Sequence, residues 1–171
     1  PANPADALPK RIKDGGRYVI TGGVGGIGLE LARYLGTGAK AKVALIGRSK
    51  FPGGAEWDVV LAKHPNSRTA HAIQVIREIE AAGGEVLILT ADVANKRALA
   101  AAIEKILSEF GGVDGVFHGA GIMDDAPMLG KSLEDTHNVL APKVAGGENL
   151  SALLPDGELD FFAVFSLCGI N

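Results

Sequence analysis

Apolar residues follow two patterns that alternate along the chain. Short continuous apolar runs predict strands that are covered on both faces. Five such runs are present, at residues 17–21, 42–47, 85–90, 113–118 and 159–166. Between the runs, apolar residues recur every three or four positions, which predicts helices. These helices begin near Ile27, span 70–82 and 95–110, and run from a Ser132-Leu133-Glu134-Asp135 capping box to about Leu154.

Five strands that alternate with four helices indicate an α/β fold. We expect a Rossmann-like, doubly wound parallel sheet with helices on both faces, incomplete at its C-terminus. Residues 1–14 contain three prolines and no periodicity, so they predict a linker, and residues 15–171 predict the folded portion. Residues 48–66 hold Pro52, Pro65 and the only tryptophan, which predicts a long irregular connection.

The composition excludes several classes of function. The 171 residues are 47% hydrophobic and 22% charged, as in a globular domain, and a net charge of -3 argues against nucleic-acid binding. The single cysteine, Cys168, excludes an internal disulfide and fits a reducing, cytoplasmic compartment. No apolar stretch is long enough for a signal peptide or a membrane span. The sequence also has no cluster of cysteines or histidines that would predict a metal site.

A glycine-rich loop joins the first strand to the first helix. Gly23, Gly25 and Gly28 fit the pattern G-x-G-x-x-G, and Gly22, Gly26 and Gly28 fit T-G-x-x-x-G-x-G. Such a loop can merely turn the chain, but its place between a strand and a helix favours dinucleotide binding, with the pyrophosphate at the helix N-terminus. The predicted contacts are Thr21, Gly22, Gly23, Gly25, Gly26, Ile27 and Gly28.

The ends of the second and third strands indicate which dinucleotide binds. An NAD site usually places a carboxylate after the second strand, whereas Arg48 and Ser49 stand there in this sequence. Arg48 would attract a 2′-phosphate, so NADPH is predicted, and a solvated surface arginine is the alternative. Asp92 and Val93 follow the third strand, where Asp92 serves as a turn or helix cap, as a contact to adenine, or as both.

Taken together, these motifs resemble the ketoreductase domains of modular type I polyketide synthases, in the short-chain dehydrogenase/reductase superfamily. The resemblance covers residues 15–166, and His118-Gly119-Ala120-Gly121 is its fourth motif. It implies that the backbone of Gly119, Ala120 and Gly121 passes near the nicotinamide ribose. His118 is expected to be a structural hydrogen-bonding residue.

Two further segments resemble motifs of that family. Met123-Asp124-Asp125 is similar to its Leu-Asp-Asp motif, which implies a B-type reductase that forms the D-3-hydroxyl product, and an acidic loop is the alternative. Residues 141–146, Ala-Pro-Lys-Val-Ala-Gly, resemble the motif that supplies the catalytic lysine, here Lys143. A lysine there can lower the pKa of a tyrosine and bond the ribose, and a solvated helix lysine is the alternative.

The proton donor of that family has no counterpart in this sequence. The resemblance implies a tyrosine in a Tyr-x-x-x-Asn segment after the fifth strand, but Tyr18 and Tyr34 lie in the first strand and the first helix. The chain therefore resembles a domain that stops before this tyrosine. Phe165-Ser166-Leu167 replaces the family's Phe-Ser-Ser, so Ser166 matches either the first serine or, after a shift of one residue, the catalytic one.

The resemblance implies NADPH-dependent reduction of a β-ketoacyl thioester to a β-hydroxyacyl thioester. The implied partners are an acyl carrier protein with a phosphopantetheine arm and the other domains of a polyketide synthase. This chain alone is expected to lack the full catalytic machinery. The alternative is an inactive or structural NADP-binding unit. A stand-alone short-chain dehydrogenase is a third possibility, which the N-terminal linker and the lysine motif disfavour.

Overall fold

Five parallel strands and five α-helices make up the part of the chain that the computed structural model describes, residues 9–120, 133–154, 157 and 159–165. In chain order these elements are β1 (Arg17–Thr21), α1 (Gly26–Gly38), β2 (Lys42–Gly47), α2 (Trp57–Lys63), α3 (Arg68–Ala81), β3 (Glu85–Thr90), α4 (Lys96–Phe110), β4 (Gly115–His118), α5 (Leu133–Leu153) and β5 (Phe161–Val164). Across these ranges, no helix is both long and apolar enough to cross a membrane.

The strands form one sheet in the order β3-β2-β1-β4-β5. The chain moves outward from β1 to β3 and then returns to the other side of β1 with β4. At the carboxyl end of β1, Thr21 therefore has Ile46 on one side and His118 on the other. A reversal of strand order in a parallel sheet opens a crevice at the carboxyl ends of the strands. The predicted Rossmann-like α/β fold is confirmed.

Helices cover both faces of the sheet, which explains the continuous apolar runs. Successive residues of β1 point to opposite faces, so Ile20 packs with α1 and α3, and Val19 packs with α4 and α5. On the first face, the helices bury Leu29, Ala32, Leu35, Ala72, Val75 and Ile79. On the second face, they bury Leu99, Ala102, Ile103, Ile106, Phe110 and Leu150.

Local caps set the ends of α3 and α4. The Ser67 hydroxyl accepts a hydrogen bond from the Ala70 N–H at 3.1 Å, and the Asn95 side chain accepts one from the Ala98 N–H at 3.1 Å. Gly111 follows α4 with a φ of 76°, the left-handed conformation that commonly ends a helix. The helices predicted at 70–82 and 95–110 are therefore confirmed to within two residues at each end.

The prediction that residues 48–66 form an irregular connection is wrong in the middle of that segment. A 3₁₀ turn at Gly54–Glu56 leads directly into α2, so the described residues hold one helix more than the four predicted. α2 packs on α3, where Arg77 pairs with Asp58 at 2.7 Å and lies 6.0 Å from the ring of Trp57. A helix of seven residues is too short to be stable alone, so these tertiary contacts decide its formation.

The fourth and fifth strands are shorter than predicted. β4 begins at Gly115, and not at Val113, because the Arg17 N–H donates to the Asp114 carboxylate at 2.9 Å. In a longer β1–β4 pairing this N–H would donate to a backbone carbonyl instead. β5 covers Phe161–Val164, and Ser166 lies outside the described residues. The two shortened strands still pair in register, with Gly115 beside Phe161.

A buried carboxylate joins the segment before β1 to the amino ends of β4 and β5. Asp114 accepts hydrogen bonds from Nε and Nη2 of Arg17 at 2.8 and 3.1 Å, and from Nζ of Lys13 at 3.1 Å. Lys13 also pairs with Asp160 at 2.6 Å. The Arg17 guanidinium holds the pKa of Asp114 well below its usual range, so this carboxylate is charged at neutral pH.

Candidate functional site

A pocket opens in the crevice at the carboxyl edge of the sheet. Its lining combines residues that follow or end four of the strands with one residue of α5. The lining residues are Gly22, Ile46, Gly47, Arg48, Ala91, Val93, Ala120 and Pro142. They come from five separate segments of the chain, so the strand order, rather than any one motif, creates the pocket.

The glycine loop brings the N-terminus of α1 to this edge. Gly23 is buried beside Leu45, Gly25 precedes the helix, and the first helical turn contains Gly26, Ile27 and Gly28. Within the described residues, no side chain caps this helix and its first turn has no acidic residue. The first N–H groups and the positive end of the helix dipole are therefore available to an anion.

Gly22 lets the ends of β1 and β4 approach each other closely. Its φ is +72°, and a Cβ there would lie 2.8 Å from the carbonyl oxygen of Gly119. Both the backbone conformation and the space therefore require glycine. Since Gly22 also lines the pocket, no side chain separates the backbone from a bound ligand at this point.

Arg48 and Ser49 follow β2 at the rim of the pocket. Arg48 lines the pocket and is exposed, and Ser49 is exposed but not part of the lining. Among the residues that the structure describes, no carboxylate forms an ion pair with Arg48. The N–H donors of a guanidinium that has no carboxylate partner can bind an anionic ligand, which fits the predicted 2′-phosphate contact.

Asp92 and Val93 differ in their relation to the pocket. The Asp92 carboxylate accepts a hydrogen bond from the Ala94 N–H at 2.9 Å, so this exposed side chain stabilises the turn before α4. Asn95, not Asp92, caps α4. Val93 is buried and lines the pocket, where it offers an apolar surface. A contact between Asp92 and adenine stays a prediction.

Three polar residues connect β1, β4 and α5 beside the pocket. The Thr21 hydroxyl accepts a hydrogen bond from the Ala120 N–H at 3.2 Å and lies 2.7 Å from Nδ1 of His118. Nε2 of His118 lies 3.3 Å from the carbonyl oxygen of Lys143. A carbonyl can only accept, so Nε2 carries the proton and Nδ1 accepts from Thr21.

Burial keeps this histidine neutral. His118 is 1% exposed, and desolvation lowers its pKa below the ordinary value. The carbonyls of Lys143 and Pro142 oppose that change only in part. The geometry agrees with the expectation that His118 is a structural hydrogen-bonding residue.

Lys143 lies on α5, directly after the pocket residue Pro142. Its side chain is partly buried. Farther along the same helix, the Asn149 amide donates to the carbonyls of Val93 and Ala94 at 2.9 and 3.3 Å. His118 and Asn149 thus attach α5 to the ends of β4 and β3, on two sides of the pocket.

Four predicted site residues lie outside the described residues, namely Gly121, Asp124, Asp125 and Ser166. The proposed stereochemical motif and the catalytic serine therefore stay predictions. In the ranges that are described, no group of three or more histidine, cysteine or carboxylate side chains is placed to hold a metal ion.

The sequence prediction missed part of the lining and the Asn149 contact. Ile46, Gly47 and Ala91 each neighbour a predicted residue in the chain, and the rule that strand ends line the crevice would have included them. Asn149 has no such signal, because its acceptors are 56 and 55 residues away. Only the folded chain shows that contact.

A family model described as "KR domain" matches residues 16–169. Among curated proteins, 5-methyl-1-naphthoate synthase of Streptomyces sahachiroi is 34% identical over 168 residues, which cover 98% of this chain and 9% of that protein. The chain spans less than a tenth of the length of the first curated relatives it matches.

Two solved structures share the fold over most of the chain. A ketoreductase domain from the bacillaene assembly line matches with a TM-score of 0.77 and 30% identity, over 94% of this chain and 35% of that one. A structure described as A-type ketoreductases from a modular polyketide synthase matches with a TM-score of 0.72 and 31% identity, over 97% and 32%.

Proposed function

Because the chain belongs to the KR-domain family, the ketoreductase domains of polyketide synthases, we propose that its pocket binds NADPH and that the domain reduces a β-ketoacyl thioester to a β-hydroxyacyl thioester. The observation that carries this proposal is the composition of one pocket. The pocket is bordered by Gly22 of the glycine loop that precedes the uncapped α1, by Arg48, and by Pro142, the neighbour of Lys143. These are the parts that a phosphorylated dinucleotide and its reactive end require.

The pocket residues fit NADPH in three respects. The open N-terminus of α1 supplies N–H donors for the pyrophosphate. Arg48 offers a positive, forked donor group where a carboxylate would repel a 2′-phosphate. Ala91 and Val93 offer apolar surface to an adenine ring, with Asp92 between them. When bound, the reduced nicotinamide supplies a hydride.

Reduction of the ketone needs a hydride at the carbonyl carbon and a proton at the oxygen. We assign to Lys143 the roles of bonding the ribose and lowering the pKa of the proton donor, and to Ser166 the role of polarising the carbonyl. The resemblance places the proton donor in a Tyr-x-x-x-Asn segment, which these 171 residues do not contain. Catalysis is therefore proposed for a complete domain.

The substrate would be carried by a partner protein. An acyl carrier protein would present the β-ketoacyl group on its phosphopantetheine arm, in the cytoplasm and beside other domains of the synthase. We further propose that Asp124 and Asp125 mark a B-type reductase. The match to A-type ketoreductases, at 31% identity and a TM-score of 0.72, supports the fold and the family, and the type is proposed from Asp124 and Asp125.

An NADP-binding unit without catalysis is the alternative. It is favoured by one observation, the replacement of the second serine of the family's Phe-Ser-Ser by Leu167. The reductase and the non-catalytic unit would both bind the nucleotide, but only the reductase would turn over substrate. Binding and reduction must therefore be measured separately.

Substitution of Arg48 tests the cofactor. We expect the protein to bind NADPH at least about tenfold more tightly than NADH, and Arg48→Asp to weaken NADPH binding by about 10- to 100-fold, the value of charge-assisted hydrogen bonds to a phosphate. NADH binding should change little. Titration calorimetry with both dinucleotides gives the two dissociation constants.

Lys50→Asp is the matched control, because Lys50 is an exposed cation two residues from Arg48 that does not line the pocket. The same change of charge there should leave the preference for NADPH in place. Equal weakening by both substitutions would remove Arg48 from the 2′-phosphate site.

Turnover by the full-length protein separates the two functions. With a soluble β-ketoacyl thioester as substrate, NADPH oxidation should yield the D-3-hydroxyl product, which chiral chromatography identifies. NADPH binding without any product would favour the non-catalytic alternative. An L-3-hydroxyl product would refute the B-type assignment and leave the reductase proposal intact.

A further inference from the structure

A continuous hydrogen-bonded chain leads from the pocket edge to the backbone of Lys143. It runs from the Ala120 N–H to the Thr21 hydroxyl, then to Nδ1 of His118, and from Nε2 of His118 to the Lys143 carbonyl. Thr21 and His118 are both buried. Such a chain fixes the ring orientation, because its two end groups each fill only one role: the Ala120 N–H donates and the Lys143 carbonyl accepts.

We propose that His118 is a positioning residue for Lys143, and that its neutral ring holds the backbone of that lysine against the nucleotide-binding edge of the sheet. The inference rests on the proposed function, because it has a catalytic consequence only if Lys143 takes part in the reduction. It assigns to His118 no contact with substrate or cofactor and no transfer of a proton.

Near Pro142, α5 lacks one of its own backbone hydrogen bonds and is stabilised by contacts with other elements. Pro142 lies inside the helix, has no N–H and cannot donate to the carbonyl one turn earlier. A proline in a helix interior also displaces the preceding turn. The bond from His118 to the next residue, Lys143, supplies a fixed attachment beside this break in the helical bonding.

Gly146 allows α5 to come close enough for that bond. A Cβ at Gly146 would lie 2.7 Å from Cγ2 of Val93 and 3.1 Å from Cε1 of His118. A Cβ at Gly147 would lie 3.8 Å from Cδ2 of His118, an ordinary van der Waals distance. A side chain at position 146 would therefore push the helix away from His118, whereas one at position 147 would not.

A role in core packing alone is the competing explanation. The groups that affect His118 are the Thr21 hydroxyl and the carbonyls of Lys143 and Pro142, and among the described residues no carboxylate bonds the ring. A residue that only fills the core acts through the stability of the whole domain. A positioning residue acts on turnover, and its effect passes through Lys143.

A double-mutant cycle in the full-length protein tests this pathway. We expect His118→Phe to lower kcat by about tenfold or more and to raise the Kd of NADPH by only about threefold, because the displaced lysine loses its bond to the ribose while Arg48 and the N-terminus of α1 keep their places. His118→Gln keeps one donor and one acceptor, so it should recover most of kcat. When Lys143→Ala is already present, adding His118→Phe should lower kcat by less than about a further twofold.

The outcomes of the cycle are distinct. If the loss of kcat in the double variant equals the product of the losses in the two single variants, His118 acts independently of Lys143 and the inference is overturned. If Lys143→Ala leaves kcat unchanged, the catalytic role of Lys143 fails and the positioning role falls with it. The Kd of NADPH, measured on the same samples, reports separately on the nucleotide-binding proposal.

The two neighbouring glycines give a second test that does not alter His118. Gly146→Ala should lower kcat by about fivefold or more and speed amide hydrogen exchange in residues 143–150, whereas Gly147→Ala should leave both near the wild-type values. The pair adds the same methyl group to the same helix. Equal effects of the two substitutions on kcat and exchange would refute the inference, even if His118→Phe fails to fold.

Discussion

Asp114 and His118 stand at opposite ends of β4, and the pKa of each is lowered for a different reason. The carboxyl group of Asp114 is held in its charged form by Arg17 and Lys13. The imidazole of His118 is held in its neutral form by burial. One strand thus carries a fixed charge at its amino end and a fixed neutral hydrogen-bonding group at its carboxyl end.

Removal of the Asp114 charge should destabilise the domain strongly. Asp114→Asn leaves the Arg17 guanidinium, whose side chain is 33% exposed, without its charged partner, so we expect a loss of about 1.5–3 kcal/mol, the range for a hydrogen bond to a charged group. Urea denaturation measures it. Asp58→Asn is the control, because Asp58 pairs with Arg77 at an 85% exposed site and should cost less than about 1 kcal/mol.

The sign of the pH dependence follows from the lowered pKa of Asp114. The stabilisation is complete above the unfolded value of about 3.9 and is lost as the pH falls through the lower folded value. In Asp114→Asn, the free energy of unfolding should therefore fall less steeply with pH below about 3.9 than in the wild type. An unchanged slope would mean that Asp114 is not held in its charged form by Arg17.

His118 should produce a separate loss of stability at a higher pH. Its folded pKa lies below the unfolded value of about 6.5, so the unfolded chain binds a proton that the folded chain does not, and stability falls as the pH drops below about 6.5. His118→Gln should remove this component, and because the amide keeps one donor and one acceptor it should cost about 1 kcal/mol or less at neutral pH. Thermal unfolding between pH 7.5 and 5 (a range set by the pKa of histidine) measures both.

His71→Gln is the matched control for that experiment. His71 lies on α3 with a 59% exposed side chain, 3.7 Å from a carboxylate oxygen of Glu30, so its substitution makes the same histidine-to-glutamine change outside the core. A slope that persists in His118→Gln and disappears in His71→Gln would refute the assignment.

At the scale of elements, helices differ in how locally they are determined. α3 and α4 carry their own start signals, Ser67 and Asn95, in the adjoining sequence. α2 carries none, because no side chain caps it and its contacts with Arg77 come from α3. The bounds of α3 and α4 were predicted from their periodic apolar residues and the glycines that follow them, and the caps explain where these helices begin. The presence of α2 had no such local signal.

The cap of α4 can be tested directly. Asn95→Ala should lower the free energy of unfolding by about 1 kcal/mol, because it leaves the Ala98 N–H without its side-chain acceptor. Asn95→Asp keeps an acceptor oxygen at the positive end of the helix and should stay close to the wild type. Equal losses in the two variants, measured by urea denaturation, would show that the cap does not support the helix.

At the scale of the whole molecule, the sequence predicted the fold class and four residues of the pocket lining. The alternation of elements is a local property of the chain, and each of these four residues lies within three positions after the end of a strand, namely Gly22, Arg48, Val93 and Ala120. Pro142 reaches the pocket from α5, and the contact of Asn149 depends on how α5 packs against the end of β3. Such placements arise from tertiary packing, which no local pattern encodes.

The strand order also has a consequence for how a nascent chain folds. β2 can pair with β1 soon after both are synthesised, but the other side of β1 waits for β4, and Thr21 and His118 are 97 residues apart. Such distant pairing is slow, and an unpaired strand edge invites association with other chains. Until β4 returns, the edge of β1 therefore exposes a row of unpaired backbone N–H and C=O groups. The proposed cofactor site would likewise form only in chains in which β4 has already returned, because Ala120 follows β4.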